Sequence, residues 1–273
     1  QPAMTAPALA AKMHRIRNDK ALEALVDEIV HIIRSQFLAV AGNVIAAVPT
    51  TFFICSMILM ATGKFFVPPD KALYTMQSFS ILSMTPFYAA FTGILLWLSS
   101  LVAGWMDNWF AYRRLSSALG HNRRIVFILG ETRARGFGMF LKRNISGIAG
   151  NVSLAVFLGM TPVIAEFMSL PLDVRHVTLS SASLAAAAVS LPSNVFTTWD
   201  FWLAISGIAS MGVLNISVSF AMAMIVAIRA RNVHAPERGL IYFAVWKRLK
   251  TQPLSFLFPP KGTPDSKATK SNH

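Results

Sequence analysis

The chain has 273 residues, of which 54% are apolar and only 14% carry a charge, and its formal net charge is +13. A soluble domain carries about 25% charged residues, so this composition argues against a soluble globular protein. The charges are also unevenly distributed, because four stretches contain no Asp, Glu, Lys or Arg: 35–63, 72–106, 144–165 and 201–228. About 18 apolar residues suffice to cross a hydrocarbon core about 30 Å thick. We therefore predict an all-α integral membrane protein with four transmembrane helices.

The first predicted element lies ahead of these stretches, within residues 1–34. Apolar residues recur there at three- and four-residue spacing, which is typical of an amphipathic helix, and we place this helix on the cytoplasmic side. The first span follows at 36–61, and Pro49 is expected to break it near its middle. The apolar positions of the amphipathic helix are Leu22, Leu25, Ile29, Ile32 and Ile33.

The second uncharged stretch, 72–106, is too long for one span. As a continuous helix it would measure about 52 Å, whereas the hydrocarbon core is about 30 Å thick. Pro86 divides the stretch. We therefore predict a half-helix at 73–85, either re-entrant or lying on the membrane surface, and the second span at 87–105.

The second half of the chain has the same order of segments, after a basic loop in which apolar residues predict partly helical, interfacial structure. Its short Ser- and Ala-rich stretch is interpreted as a second half-helix rather than a fifth span. The predicted segments are the basic loop 115–144, the third span 145–170 with Pro162 inside it, the half-helix 177–191, the last span 201–228, and a basic cytoplasmic tail 232–273 with an interfacial helix at 239–250.

The two halves, 35–114 and 145–231, also resemble each other in sequence. Ala-Gly-Asn-Val stands at 41–44 and again at 149–152, and a Pro-x-Asp turn is followed at identical spacing by Thr, Ser and Ser in both halves. We predict two parallel repeats, each a span, a turn, a half-helix and a span, related by a pseudo-twofold axis along the membrane normal. Chance similarity between apolar sequences is the alternative.

The distribution of Lys and Arg predicts the orientation in the membrane. With four spans, 22 of the 25 Lys and Arg residues fall on the side that holds both termini and the basic loop. Basic loops stay in the cytoplasm, so both termini are expected there, and the net charge needs no nucleic-acid partner. We predict contacts with anionic phospholipids or a partner protein for Arg113, Arg114, Arg123, Arg124, Lys142 and Arg143.

Polar residues near the predicted outer side are candidates for a solute site. Asp70 and Asp173 occupy matching places in the two halves, and Glu166 is the one acid within a predicted span. Ionisable residues in membrane segments are functional candidates, and Arg175 and His176 adjoin Asp173. The alternative is that both aspartates cap the half-helices that follow them, and that the other charges are simply solvated.

Three asparagines lie inside predicted spans, namely Asn43, Asn151 and Asn215. We expect their amides to form hydrogen bonds between helices, with glycines permitting close approach. The sequence contains none of the common motifs for zinc proteases, nucleotide phosphates or serine hydrolases, so we expect no cofactor and no metal. Whether the protein forms a homo-oligomer is left open.

The stretch around Asn151 to Ser183 resembles a family of bacterial transmembrane proteins named site-specific recombinases, of the gonococcal Gcr type. Within it the string LPLDVRHVTLS, Leu170 to Ser180, is distinctive. The resemblance covers most of residues 35–235 and implies the C-terminal membrane portion of a longer protein in the bacterial inner membrane. It also implies DNA rearrangement, but no recombinase site is visible. Tyr112, beside Arg113 and Arg114, is the one tyrosine next to arginines.

Three hypotheses for the function follow. The first, which we favour, is a non-enzymatic membrane core that resembles a transporter or a scaffold. The second is site-specific recombination of DNA, as the family name states. The third is a membrane anchor for a functional part that precedes Gln1.

Overall fold

The structure is a computed structural model that describes Leu9, residues 19–230, residues 235–256 and Phe258. The part of the predicted N-terminal segment that precedes residue 19, apart from Leu9, and the part of the predicted basic tail beyond Phe258 lie outside these residues. Helices make up most of the described chain: α1 (Asp19–Thr62), α2 (Pro69–Ser78), α3 (Thr85–Tyr112), α4 (Leu115–Gly120), α5 (Arg123–Leu129), α6 (Glu131–Phe167), α7 (Val177–Ser190), α8 (Trp199–Ala230) and α9 (Ala235–Thr251), with short 3-10 helices at Ser193–Thr197 and Pro253–Phe256.

Four of these helices, α1, α3, α6 and α8, are long and apolar enough to cross a membrane. This confirms the prediction of an all-helical protein with four helices of that kind. The physical basis is the length of the uncharged stretches, because a helix needs about 20 apolar residues to span a hydrocarbon core. The shorter helix α7 is apolar as well, but its 14 residues are too few to cross.

Two predicted boundaries between elements are absent. Helix α1 joins the amphipathic segment and the first span into one helix of 44 residues, and Pro49 lies inside it. The prediction that Pro49 breaks the span was wrong, since a proline removes one backbone hydrogen bond without ending a helix whose neighbouring turns hold it. In the same way, α6 joins the end of the basic loop to the third span and continues through Pro162.

The first half-helix lies earlier in the chain than predicted. Helix α2 begins at Pro69, which occupies the first turn, where a missing N–H costs nothing. It ends at Ser78, so the chain turns at residues 79–84, and Thr85 already starts α3. The predicted half-helix 73–85 therefore spans the end of one helix, a turn and the start of another.

Helices α3 and α8 run parallel at the centre of the molecule. The backbone N–H of Ile81, just before α3, donates to the carbonyl of Leu203 at 3.2 Å. Further along, Gly93 faces Val218, and a Cβ added to the glycine would lie 2.8 Å from the Val218 Cβ. The later residue of α3 contacts the later residue of α8, so the two helices run in the same direction.

Helices α1 and α6 run in the opposite direction, on different flanks of this pair. Leu25, early in α1, packs in one cluster with Ile228 at the end of α8. Gly138, early in α6, faces the carbonyl of Ser116 just beyond the end of α3. The starts of α1 and α6 and the ends of α3 and α8 therefore lie at one end of the molecule. This end also carries α4, α5 and α9, and we call it the basic end.

The packing of the two halves does not repeat. Helix α1 packs mainly on α7, whereas its counterpart α6 packs mainly on α3 and α4. The half-helices also run antiparallel. Val67, just before α2, accepts a hydrogen bond from Ser190 at the end of α7, and Phe79, just after α2, lies under Arg175, just before α7. A twofold axis along the membrane normal would make α2 and α7 point the same way along that normal, so the similarity between the halves does not extend to the fold.

Candidate functional site

The chain between α6 and α7 has no regular secondary structure from Leu170 to His176. It leads to the middle of α8, because the first residue of α7, Val177, contacts Asn215. Helix α7 then returns toward the start of α8, to which it is joined by the 3-10 helix Ser193–Thr197. An irregular segment thus leads inward to the middle of α8, and helix α7 leads back outward. We call residues 168–190 the returning segment.

Asn215 fixes the returning segment to both central helices. Its side-chain Oδ1 accepts the backbone N–H of Val177 at 3.1 Å, and its Nδ2 donates to the carbonyls of Ala89 at 2.9 Å and Arg175 at 3.0 Å. The side chain is almost fully buried. The Val177 N–H is one of the amides that a helix start leaves without an internal partner, so Asn215 stabilises the start of α7 from a neighbouring helix.

Thr92 on α3 supplies a second anchor. Its Oγ1 accepts the backbone N–H of Arg175 at 2.9 Å, and the residue is fully buried. Both backbone polar groups of Arg175 are therefore bonded to side chains of the central helices. Sequence reasoning missed Thr92, although a threonine within an apolar span is a signal that could have drawn attention to it.

An ion pair lies near the inner end of this irregular segment. The guanidinium of Arg175 donates to the Asp173 carboxylate, with Nη2 and Oδ2 2.9 Å apart. The Arg175 side chain is 14% exposed and that of Asp173 is 42% exposed, so the arginine is the more buried partner. The guanidinium also stacks on the Phe79 ring, with Cζ 4.9 Å from the centroid, a cation–π contact that favours burial of the charge.

Two buried nitrogens beside this pair have no hydrogen-bond partner within the part of the chain that the structure describes. They are Nε of Arg175 and Nδ1 of His176.

Asp173 does not cap α7, since it lies four residues ahead of the first helical residue and its Oδ1 accepts the next backbone N–H, that of Val174, at 2.7 Å. The capping alternative is thus wrong for Asp173, whose carboxylate is bound by an arginine instead.

A cavity of about 380 Å³ opens in front of the ion pair, between α2 and α7. Pockets for small ligands usually have volumes of about 300–1,000 Å³, so it is large enough for a small solute. Its wall combines the two charged groups with hydroxyl groups and apolar surface. The lining residues are Phe66, Val67, Tyr74, Thr75, Ser78, Phe79, Asp173, Arg175, Ser183 and Ala186.

The other predicted site residues lie apart from this cavity. Asp70 is exposed in the first turn of α2, where the positive end of the helix dipole stabilises a negative charge. Its side chain forms no capping hydrogen bond with the helix. Glu166 is exposed near the end of α6. The structure therefore brings together Asp173, Arg175 and His176 but does not form the symmetric mouth expected from Asp70 and Asp173.

The three asparagines differ in exposure, whereas the six basic residues are all exposed. Asn215 bonds between chain segments as expected, whereas Asn43 and Asn151 point outward from α1 and α6. Tyr112, at the end of α3, is 85% exposed. No group of metal-ligating side chains occurs among the residues that the structure describes. The six basic residues predicted to meet lipid or a partner are all exposed at the basic end: Arg113, Arg114, Arg123, Arg124, Lys142 and Arg143.

Comparison with known proteins gives one result. The model of a family described as "Site-specific recombinase" matches residues 1–259, which agrees with the resemblance found at Leu170 to Ser180. No curated protein and no solved structure shows a significant match. Because the family match covers nearly the whole sequence, the chain belongs to the site-specific recombinase family.

Proposed function

We propose that this chain is a membrane-embedded, non-enzymatic core that binds a small polar solute at the Asp173–Arg175 ion pair. The observation that carries the proposal is a mostly buried arginine, paired with an aspartate, that faces a cavity from the returning segment. Ionisable groups inside membrane segments commonly mark solute or ion pathways. Irregular backbone at membrane depth is tolerated only where protein buries it or where it lines a cavity.

The depth of the pair follows from its contact with α8. Asn215 lies 15 residues after Asp200 and 14 before Arg229, and the residues between these two charges are uncharged. That stretch is about 42 Å long, so a hydrocarbon core about 30 Å thick includes Asn215 wherever along the stretch it lies. Since Arg175 is bonded to Asn215, the proposal places the ion pair within the bilayer and makes α7 a re-entrant helix.

The chemistry of the pair indicates the class of solute. A lone anion bound by Arg175 would leave the Asp173 carboxylate without a positive partner. A lone cation bound by Asp173 would leave the Arg175 guanidinium without a negative partner. Leaving one member of a partly buried ion pair uncompensated is costly. A small dipolar solute, with one anionic and one cationic group, would replace the internal pair and keep the cavity neutral.

Solute entry into liposomes tests this proposal. The purified protein would be reconstituted and its swelling measured with glycine, acetate, methylammonium and sucrose. We expect faster entry of glycine than of the other three, and a decrease of at least tenfold in Arg175→Gln and in Asp173→Asn, because each substitution removes one charge of the pair.

Glu166→Gln is the matched control, since this carboxylate is exposed and lies outside the cavity. Glycine entry should be unchanged in this variant. Equal entry of glycine in the wild type and in both cavity variants would refute the proposal, as would no entry of any solute above that of empty liposomes.

For the orientation, we propose a bacterial inner membrane with the basic end in the cytoplasm, which the distribution of Lys and Arg supports. The exposed arginines of that end would then meet anionic phospholipid headgroups. In intact cells, Lys64→Cys should react with a membrane-impermeant maleimide, because residue 64 lies between α1 and α2 at the opposite end. Labelling of this cysteine only after lysis would reverse the proposed orientation.

DNA recombination is the second candidate function, and the description of the family favours it. A tyrosine recombinase needs its tyrosine surrounded by arginine and histidine side chains, whereas the Tyr112 side chain projects outward at the end of α3. Incubation of the purified protein with supercoiled DNA discriminates between the two functions. DNA cleavage that disappears in Tyr112→Phe would establish recombination and displace the solute proposal. The third candidate, an anchor, predicts neither DNA cleavage nor solute entry.

A further inference from the structure

A second cavity lies beside α7, between α1 and α8, and has a volume of about 550 Å³. Helix α1 packs mainly on α7, which holds it away from α8 and leaves this space. The three helices meet at its floor, where a Cβ added to Gly212 of α8 would lie 3.6 Å from Val177 and 3.9 Å from Val40. The cavity is open to the side, since Phe37 and Val213 in its wall are 45% and 63% exposed. We call it the lateral groove.

The wall of the lateral groove is apolar. Among the described residues that line it, Ser181 and Ser217 alone have polar side chains. Both hydroxyls donate to a carbonyl of their own helix, that of Ser181 to Val177 at 2.7 Å and that of Ser217 to Val213 at 2.5 Å. A polar solute would therefore lose its hydration without replacement, whereas a hydrocarbon chain would not. The chemistry of the wall thus selects an apolar occupant.

The shape of the lateral groove indicates a single chain rather than a helix. Its lining on α1 extends from Ile33 to Val48, which is about 22 Å along the helix. Over this length, the volume corresponds to a mean cross-section of about 25 Å². An α-helix with its side chains is about 10 Å across, or about 80 Å² in section, and does not fit. One leaflet contributes about 15 Å to the hydrocarbon core, so the groove is long enough for a fatty acyl chain of that leaflet.

An arginine stands at the basic end of the lateral groove. Arg34 is the last charged residue before the uncharged stretch 35–63, and it shares one side of α1 with Phe37 and Ala41. Among the described residues its guanidinium forms one hydrogen bond, to the Ser255 carbonyl with Nη1 and O 3.5 Å apart, and no ion pair. A guanidinium has five N–H donors, so most of them remain for an anionic group at the mouth of the groove.

We propose that the lateral groove binds one phospholipid from the leaflet at the basic end, with an acyl chain along α1 and α8 and the phosphate at Arg34. The phosphate supplies the negative partner of the guanidinium through charge-assisted hydrogen bonds. The chain supplies the van der Waals contacts that the walls of an empty groove would lack. This inference rests on the proposed membrane location of the protein, but it does not require that the Asp173–Arg175 pair binds a solute.

Retention of phospholipid by the purified protein tests the proposal. The protein would be transferred from phosphatidylglycerol vesicles into mild detergent, and native mass spectrometry would count the phospholipids on each molecule. We expect one phospholipid on most wild-type molecules. Ala41→Trp should lower the fraction with a bound phospholipid at least tenfold, because the indole ring occupies the groove. Arg34→Gln should lower it about tenfold, because the charge-assisted hydrogen bonds to the phosphate are lost.

Two substitutions outside the groove are matched controls. Ala46→Trp adds the same ring at an exposed position toward the other side of α1. Arg143→Gln removes the charge of an exposed arginine on α6, a helix that does not line the groove. Both variants should retain phospholipid as the wild type does. Equal retention by the two tryptophan variants, or none by the wild type, would overturn the proposal. Equal retention by the two glutamine variants would overturn the assignment of the phosphate to Arg34.

Crosslinking in vesicles locates the chain without any substitution. Phosphatidylglycerol with a photoactivatable diazirine at the end of one acyl chain should label the far end of the groove, around Val48 and Ile205. Equal labelling of all four long helices would show unspecific lipid contact and overturn the proposal. Extraction of native membranes with alkaline carbonate tests the membrane location separately. Protein that stays with the membranes but retains no phospholipid would refute the lipid site alone.

Discussion

Asn215→Leu is expected to destabilise the protein by about 4 kcal/mol, although leucine has nearly the same shape. The substitution removes three hydrogen bonds and leaves the Val177 N–H and the Arg175 carbonyl without their partner. Each buried polar group that loses its partner costs about 1–3 kcal/mol. Unfolding of the purified protein in mixed micelles of increasing SDS fraction would measure the change in the free energy of unfolding.

Ser217→Ala is the control for this experiment. Ser217 lies two residues along the same helix, is exposed, and bonds to the Val213 carbonyl of its own helix. Its loss should change stability by less than about 0.5 kcal/mol, as is usual for a surface position. A free energy of unfolding of Asn215→Leu within about 1 kcal/mol of the wild-type value would show that α7 does not depend on this side chain. The described anchoring of the returning segment would then be incorrect.

Gly207→Ala is expected to cost about 3 kcal/mol, although it adds a single methyl group. A Cβ at this position would lie 1.8 Å from the backbone carbonyl oxygen of Phe79 and 3.1 Å from the backbone nitrogen of Ile81. Backbone atoms do not yield as a flexible side chain does, so the turn at 79–84 would have to move away from α8. Overpacking of this kind typically costs 1–3 kcal/mol and sometimes more.

The displaced turn should also affect the cavity, because Phe79 stacks under Arg175 and lines the cavity wall. We therefore expect Gly207→Ala to lower both the midpoint of thermal unfolding and the entry of glycine. Gly104→Ala on α3 is the control, since a Cβ there meets no atom within 4 Å. If both substitutions shift the midpoint equally, close packing of α8 on the turn is not what requires glycine at 207.

Several features of the site could not be derived from local sequence. Asn43, Asn151 and Asn215 all lie in apolar stretches and received the same prediction, yet only Asn215 is buried between helices. Which side of a helix faces the protein depends on the neighbours that pack against it. Helix α1 has apolar residues all around its span, so periodicity could not identify its buried side.

The similarity between the halves shows a second limit. Pro68-Pro69-Asp70 and Pro171-Leu172-Asp173 align at identical spacing, but the first starts a helix at once, whereas the second continues without regular secondary structure to His176. The difference arises because Pro69 fits the first turn of α2, whereas the backbone of the second segment is bonded to Thr92 and Asn215. These partners lie 83 and 40 residues away along the chain.

The sequence by itself determined the all-helical class, the four helices that are long and apolar enough to cross a membrane, and the concentration of basic residues at one end. These properties depend on hydrophobicity and charge summed over 20 residues or more, which tertiary contacts scarcely alter. Only the tertiary structure decided that Asp173 and Arg175 form a partly buried pair in front of a cavity, that α2 and α7 are antiparallel, and that Asn43 and Asn151 face outward. Each of these features depends on single contacts between segments distant in the chain, and composition and periodicity hold no information about such contacts.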